Sequence, residues 1–220
     1  VLGTIGPLQV RLARSRAEVR GAQSLRYQTF YKEMGARANA SSRLLRRDKD
    51  AYDRHCDHLL VIDTSQGHQT IVGTYRLMLQ SHASRAGGFY SQSEFDLTPL
   101  FKSNPKARFL ELGRSCIAPA FRDRRTIELL WHGTWCYALA QGIEILFGCA
   151  SFDGVDPNRF APALSWLGKN ASLDGNENCC ASSTNGVPLS SFQAEPASLR
   201  QAMSAMPPLI KGYLRVGAKI

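Results

Sequence analysis

At 220 residues, with 44% apolar and 20% charged side chains, the chain has the length and composition of one large soluble globular domain. No apolar run approaches a membrane span, and no secretory h-region opens the sequence, which begins at Val1. The net charge of +9 is less ordinary and favours an anionic partner, whether nucleic acid, an acidic protein, a membrane surface or a phosphorylated ligand.

Leu8 to Ala13 alternates apolar and polar residues, the pattern of a half-exposed first strand. Ser15-Arg16-Ala17-Glu18 has capping-box form and predicts a helix running to about Met34, stopped by Gly35. Val19, Ala22, Tyr27 and Phe30 supply its buried stripe, and Arg26 lies four residues before Phe30 on one face. The charge-dense stretch 36–56 lacks periodicity and reads as one long loop, of a length that tends to serve function. Two strands follow, His58 to Asp63 and Ile71 to Leu79, joined by a hairpin over Ser65-Gln66-Gly67-His68. Residues 81–106 are Ser/Gly-rich at first and carry Phe89, Tyr90, Phe95 and Phe101, which either line a site or cover one.

The stretch 107–127 (ARFLELGRSCIAPAFRDRRTI) organises the rest. Arg108 to Ile117 reads as a buried strand stopped by Pro119, which cannot donate to a sheet ladder. Strict alternation would aim Glu111 and Arg114 at opposite faces. Gly113 between them is a candidate bulge residue, and one inserted residue brings the two charges onto one face. A buried carboxylate and guanidinium are costly to keep together without a use. The turn Phe121-Arg122-Asp123-Arg124-Arg125 then leads into a helix from about Thr126 to Ala140, a helix start suited to an anionic group.

Ile143 to Ala150 reads as another buried strand, and residues 156–168 as a helix with Phe160, Leu164 and Leu167 on one stripe. Residues 171–187 form an Asn/Ser/Gly-rich loop, Pro196 to Met206 a further helix, and a last segment follows Pro207-Pro208. The six cysteines show no C-x-x-C pair and no Cys/His ligand spacing, so no metal site is expected and the compartment reads as reducing and cytosolic. Cys116, Cys136 and Cys149 sit within apolar runs as small buried side chains.

The order of strands and the strand–turn–helix unit resemble the N-acetyltransferase (GNAT) fold. Seven segments are similar to the ornithine N-acyltransferases, the lyso-ornithine lipid synthases: LRYQTFYKEM (25–34), CDHLLVID (56–63), IVGTYRLM (71–78), FYSQSEFDL (89–97), LELGRSCIAPAFRDRRTIELLWHG (110–133), LFGCASFDGVDP (146–157) and PPLIKGYLRVGAKI (207–220). A fainter similarity reaches the acyl-homoserine-lactone synthases, whose conserved pattern falls here on Arg26, Phe30, Asp50, Asp53, Arg76, Glu111 and Arg114. The resemblance implies a single GNAT-like α/β (α+β) domain over 1–220, with a mixed central sheet whose central strands splay between flanking helices. It also implies an amide-forming acyltransferase that takes a 3-hydroxyacyl or other long chain from acyl carrier protein, with ornithine as acceptor and no permanently bound cofactor. Cytoplasmic location with peripheral contact to the inner membrane follows from the same likeness. Where the usual acetyl-CoA cradle reads R/Q-x-x-G-x-G/A, this chain has Arg122-Asp123-Arg124-Arg125-Thr126-Ile127, which suits the single phosphodiester of phosphopantetheine better than a CoA pyrophosphate.

On this reading Glu111 takes a proton from the incoming amine and Arg114 orients it or holds the amino-acid carboxylate. Asp50 or Asp53 receives an acceptor cation, while Arg26 and Arg76 contact substrate or pair with these acids. A main-chain amide near Cys116 or Ile117 polarises the thioester, and Arg122, Arg124, Arg125 and Thr126 face the donor phosphate. Two rivals remain: a related synthase with another acceptor, giving an N-acyl amino acid or a lactone signal, and a nucleic-acid-binding module. The latter rests on charge alone, without a helix-turn-helix or aromatic-basic motif.

Overall fold

The computed structural model describes residues 1–173, 179–181, 186–192 and 199–220. The chain opens with β1 (Gly3–Ile5), β2 (Leu8–Leu12), α1 (Arg16–Tyr27), α2 (Ala40–Leu45), β3 (Asp57–Asp63), β4 (Thr70–Leu79) and α3 (Gln80–Ala86). It continues through β5 (Phe95–Asp96), α4 (Thr98–Ser103), β6 (Phe109–Ile117), α5 (Arg124–Ala140) and β7 (Ile145–Phe147). The last elements are α6 (Ala161–Asn170), β8 (Cys180–Ala181), α7 (Leu199–Ala205) and α8 (Pro208–Arg215). They fall into two compact units, Val1–Phe89 with Ala107–Gly148, and Tyr90–Lys106 with Cys149–Ile220.

The first unit is a mixed sheet in the order β1-β2-β3-β4-β6-β7, antiparallel throughout except for the parallel β6–β7 pair. Alternate residues of β3 face opposite helices. Leu59 and Val61 join Val10, Leu77 and Leu110 in the core under Leu129, Leu130 and Tyr137 of α5. Leu60 and Ile62 pack with Ala22 of α1. Burial on both faces is why HLLVID is a continuous apolar run.

Ser15 caps α1 by accepting from the Glu18 amide (3.2 Å). The Glu18 carboxylate does not close the box; it accepts from the Arg14 amide and pairs with Arg11 (2.6 Å each). Past Tyr27 the expected helix continues as a π-wound turn, Gln28–Glu33, and ends before Gly35, whose φ of +73° is the left-handed stop.

The long loop expected over 36–56 is not what forms. It holds α2, capped by Asn39 accepting from the Ser42 amide (2.8 Å), and a 3₁₀ turn, Ala51–His55, closed by a capping box between Asp50 and Asp53. Both helices are short enough to leave no periodic signal, so their cap residues were the only local cue.

The strand expected over 143–150 is also shorter. Pairing to β6 covers only Phe109↔Ile145, Leu110↔Leu146 and Glu111↔Phe147, after which the two strands part. At the parting point the backbones approach so closely that a Cβ on Gly148 would collide with the Leu112 carbonyl.

In the second unit, Ala163, Leu167 and Ala171 pack with Ala202, Met206 and Ile210. The helix expected over 156–168 begins as a 3₁₀ turn, Pro157–Phe160, and continues as α6. β5 and β8 form a two-residue antiparallel pair. The start of the helix expected from Pro196, and much of the 171–187 loop, lie outside the described residues.

Candidate active site

The site is built on β6, where the register against β4 slips. Thr74 faces Cys116 and Arg76 faces Gly113, so Arg114 and Ser115 together stand opposite Tyr75. The bulge expected from the Glu111/Arg114 phase is present, but the extra residue is not Gly113, which pairs in register. Arg114 itself takes the left-handed conformation, φ +54°. An arginine held there stores backbone strain. The consequence is the expected one: Glu111, opposite Met78, lies on the same face as Arg76, and Arg114 reaches that face too.

Three arginines and three aspartates interlock on this face. Arg26, fully buried, donates from Nη1 and Nη2 to the two Asp53 oxygens (2.9 Å each), from Nε to Asp48 Oδ2 (2.8 Å), and from Nη2 to the Asp48 carbonyl. Arg76 chelates Asp50 (2.7 and 2.6 Å) and touches Asp53 (3.3 Å). Arg114 completes the lattice at 3.4 Å from Asp48 and 3.3 Å from Asp50. Gln23 and the Asp50 amide also donate to Asp53 (3.0 and 3.2 Å), and the Tyr31 hydroxyl donates to Asp48 (2.9 Å).

Burial opposes ionisation of Asp53, yet hydrogen bonds from Arg26 and the charges of Arg26 and Arg76 hold its pKa at about 2. Arg26 and Arg76 are desolvated as well, and their aspartate partners still keep both more basic than a free guanidinium. Asp48, Gln23 and Tyr31 were not singled out from sequence; an acid two residues before Asp50 was the available signal. Phe30 lies half-buried in the π-wound turn beside Tyr31.

Glu111 is 4% exposed and stands at the last position where β6 is paired on both sides. From Leu112 to Ile117 the strand has β4 on one side and no registered partner on the other among the described residues. Glu111 is therefore the last residue of β6 held between two registered strands, with Gly148 still packed against the Leu112 carbonyl just beyond it. Burial pushes the thiols of Cys116 and Cys56 up to about 12, which disfavours their thiolate forms.

At the far end of β6, Asp123 rather than Thr126 starts the helix, accepting from the Thr126 amide (2.8 Å), a hydrogen bond that keeps its carboxyl below the usual range. Thr126 is wholly buried. Arg122 donates to the Ile117 carbonyl (3.0 Å) and pairs with Glu33; Arg124 pairs with Glu128 (2.6 Å); Arg125 is exposed. The turn is thus basic and solvent-facing, with the amides of Arg122, Thr126 and Ile127 already satisfied from within.

A family model describing an acetyltransferase (GNAT) domain matches residues 25–132. The L-ornithine N(alpha)-acyltransferase of Rhizobium meliloti (strain 1021) is 47% identical over 223 residues, covering 100% of this chain and 75% of that protein. That of Brucella abortus (strain 2308) is 46% identical, covering 100% of this chain and 79% of that protein. Among solved structures, FeeM, an N-acyl amino acid synthase from uncultured soil microbes, superposes with a TM-score of 0.48 at 13% identity, covering 72% of this chain and 77% of that one. Identity of nearly one residue in two along the whole of this chain, over the matched acetyltransferase domain, leaves one assignment: the protein is a GNAT-fold N-acyltransferase and belongs to the L-ornithine N(alpha)-acyltransferase family.

Proposed function

We propose that the chain transfers a 3-hydroxyacyl or other long acyl group from acyl carrier protein to the α-amine of ornithine, giving lyso-ornithine lipid. Ornithine is brought here from the names of the two relatives. The observation that carries the mechanism is the position of Glu111, a buried carboxylate where β6 and β7 part. An ammonium must lose a proton before it attacks. Glu111 accepts that proton directly or through a water, and the free nitrogen then bonds to the thioester carbon. Collapse of the adduct breaks the C–S bond. The sulfur leaves as the carrier's thiol after taking the nitrogen's second proton, so one amide, one thiol and one proton are produced. An amide of the unpaired edge near Cys116 or Ile117 stabilises the oxyanion, and the strand gap fixes the approach.

Arg122, Arg124 and Arg125 receive the phosphopantetheine phosphate. Their ion pairs with Glu33 and Glu128 are exposed, and such pairs contribute only about 0–1 kcal/mol and exchange readily. Arg26, Arg76, Asp48 and Asp53 act as a rigid frame that positions Asp50 and Arg114, the two members with partly exposed side chains (24% and 28%).

The product is a single-chain amphiphile, which fits peripheral contact with the inner membrane. No helix among the described residues is long and apolar enough to cross a membrane. However, α5 exposes Ile127, Trp135 and Leu139 at spacings of eight and four, with Arg124 and Arg125 in its first turn. Trp135→Ser with Leu139→Ser should weaken co-sedimentation with anionic vesicles, and unchanged sedimentation would remove this contact.

The direct test incubates purified protein with acyl-carrier protein and ornithine and follows N-acylornithine by mass spectrometry. Glu111→Gln should lower kcat by about 10²–10⁴-fold with an unchanged circular dichroism spectrum; undiminished turnover would rule out its role. Acylation of a different amino acid in place of ornithine would replace the acceptor and keep the chemistry.

A further inference from the structure

The stretch 32–50 carries the cations Lys32, Arg37, Arg43, Arg46, Arg47 and Lys49. All but the half-buried Arg47 are exposed, and none of them forms an ion pair among the described residues. The acids of the same stretch are already engaged: Glu33 by Arg122, Asp48 by Arg26 and Arg114, and Asp50 by Arg76 and Arg114. Leu44 stands among these charges. Ser42 of α2 is buried, and Leu44 lies about 200° further round the helix, so it points outward and is 84% exposed. An exposed leucine flanked along the chain by Arg43, Arg46 and Arg47 has the anatomy of a protein–protein contact, an apolar centre with an arginine rim.

Both ends of this stretch are tied to the catalytic face. At one end the Asp48 amide donates to the Gln23 carbonyl of α1 (2.9 Å), and the Asp48 carboxylate sits in the arginine–aspartate lattice. At the other, Glu33 pairs with Arg122 in the turn that follows β6. The basic surface therefore starts beside the arginine turn and ends at the lattice. It is rooted on the α1 side of the sheet, whereas Trp135 and Leu139 stand on the outer face of α5, which packs on the other side.

We propose that this stretch is the docking surface for the acidic carrier protein that brings the acyl chain, with Arg43 and Arg46 engaging its carboxylates around an apolar contact at Leu44. The inference rests on the acyl-transfer reading above and deepens it. In that reading the phosphopantetheine phosphate meets Arg122, Arg124 and Arg125. The phosphate is the end of the arm that is bonded to the carrier. A phosphate at Arg122 therefore sets the carrier's own surface against the residues next to that turn, and Glu33 at the start of the basic stretch touches Arg122. Guanidinium forks match carboxylates in bidentate fashion, and uncompensated positive charge speeds encounter with an acidic partner.

The test gives wild type and the double variant Arg43→Glu/Arg46→Glu two donors that share the thioester and the phosphate: acyl-carrier protein, and the acyl thioester of free phosphopantetheine. Wild type should prefer the carrier-borne donor, and its KM for that donor should rise with added salt. In the double variant the KM for acyl-carrier protein should rise about tenfold or more, the salt dependence should flatten, and kcat/KM for the small donor should be unchanged. Leu44→Ser should raise the carrier KM and leave its salt dependence as it is. An unchanged carrier KM in the double variant would overturn the proposal, and loss of binding to anionic vesicles alongside it would give the surface to a bilayer instead. An equal loss with both donors would overturn it too, since the arginines would then serve the site and not the carrier. Absence of wild-type turnover with both donors would instead sink the acyl-transfer reading.

Discussion

Replacing Arg114 by alanine and, separately, by glycine divides two contributions that coincide at this residue. The guanidinium lies 3.4 Å from Asp48 and 3.3 Å from Asp50 with 28% of its side chain exposed, so its ion pairs are partly screened and contribute about 1 kcal/mol. The backbone works against this, because a left-handed conformation costs an L-residue roughly 1–2 kcal/mol. Arg114→Ala removes the ion pairs and keeps the strain, so it should destabilise by about 1 kcal/mol. Arg114→Gly removes the same pairs and relieves the strain, so it should match or exceed wild type. Glycine should therefore be the more stable of the two variants by about 1 kcal/mol, whereas glycine inside an ordinary strand is less stable than alanine by roughly 0.5–1 kcal/mol. With a urea m-value of about 2 kcal/mol/M, the two midpoints should differ by about 0.5 M. Equal midpoints, or a higher one for alanine, would refute the strained bulge. Both variants should be impaired in turnover, and full activity in either would remove Arg114 from the site.

Three further outcomes follow from the same geometry. Arg26→Met leaves the buried carboxylates of Asp48 and Asp53 without their main partner and should cost about 3–5 kcal/mol, with much of it recovered in Arg26→Met/Asp53→Leu; a loss under 1 kcal/mol by denaturation would contradict the lattice. Because the folded pKa of Asp53 is depressed from 3.8 to about 2, its ionisation contributes about 2 kcal/mol that is fully present above about pH 4 and is lost as pH falls through about 2. The slope of stability against pH in that window should flatten in Asp53→Asn, and an unaltered slope would assign the acid sensitivity elsewhere. Charge reversal at Arg122, Arg124 and Arg125 should raise the KM for acyl-carrier protein and leave that for ornithine alone; an unchanged donor KM would remove the phosphate role of the turn.

Much of the first unit's architecture was readable before any coordinates. β3, β4 and β6 announce themselves as apolar runs of strand length, and α5 as a helical pattern after Pro119, because each depends on local periodicity and on punctuation by proline and glycine. The likeness to acyltransferase motifs picked out Arg26, Asp50, Asp53, Arg76, Glu111 and Arg114, and the fold gathers them on one side of β4 and β6. Local reading failed over 36–56, where two short helices depend on single cap residues, and over 143–150, where β7 ends as the sheet divides.

What the amino-acid order determined alone was the type of each long element and a candidate bulge between Glu111 and Arg114, which it set on Gly113. That information lies in spacing, and spacing is local. Which residue carries the bulge, which acids Arg26 meets across 22 to 27 positions and Arg114 across 64, and where β6 loses its neighbour were decided only by the folded chain. Charge pairing and strand register are long-range choices, settled by which groups burial forces together, and no local pattern encodes that outcome.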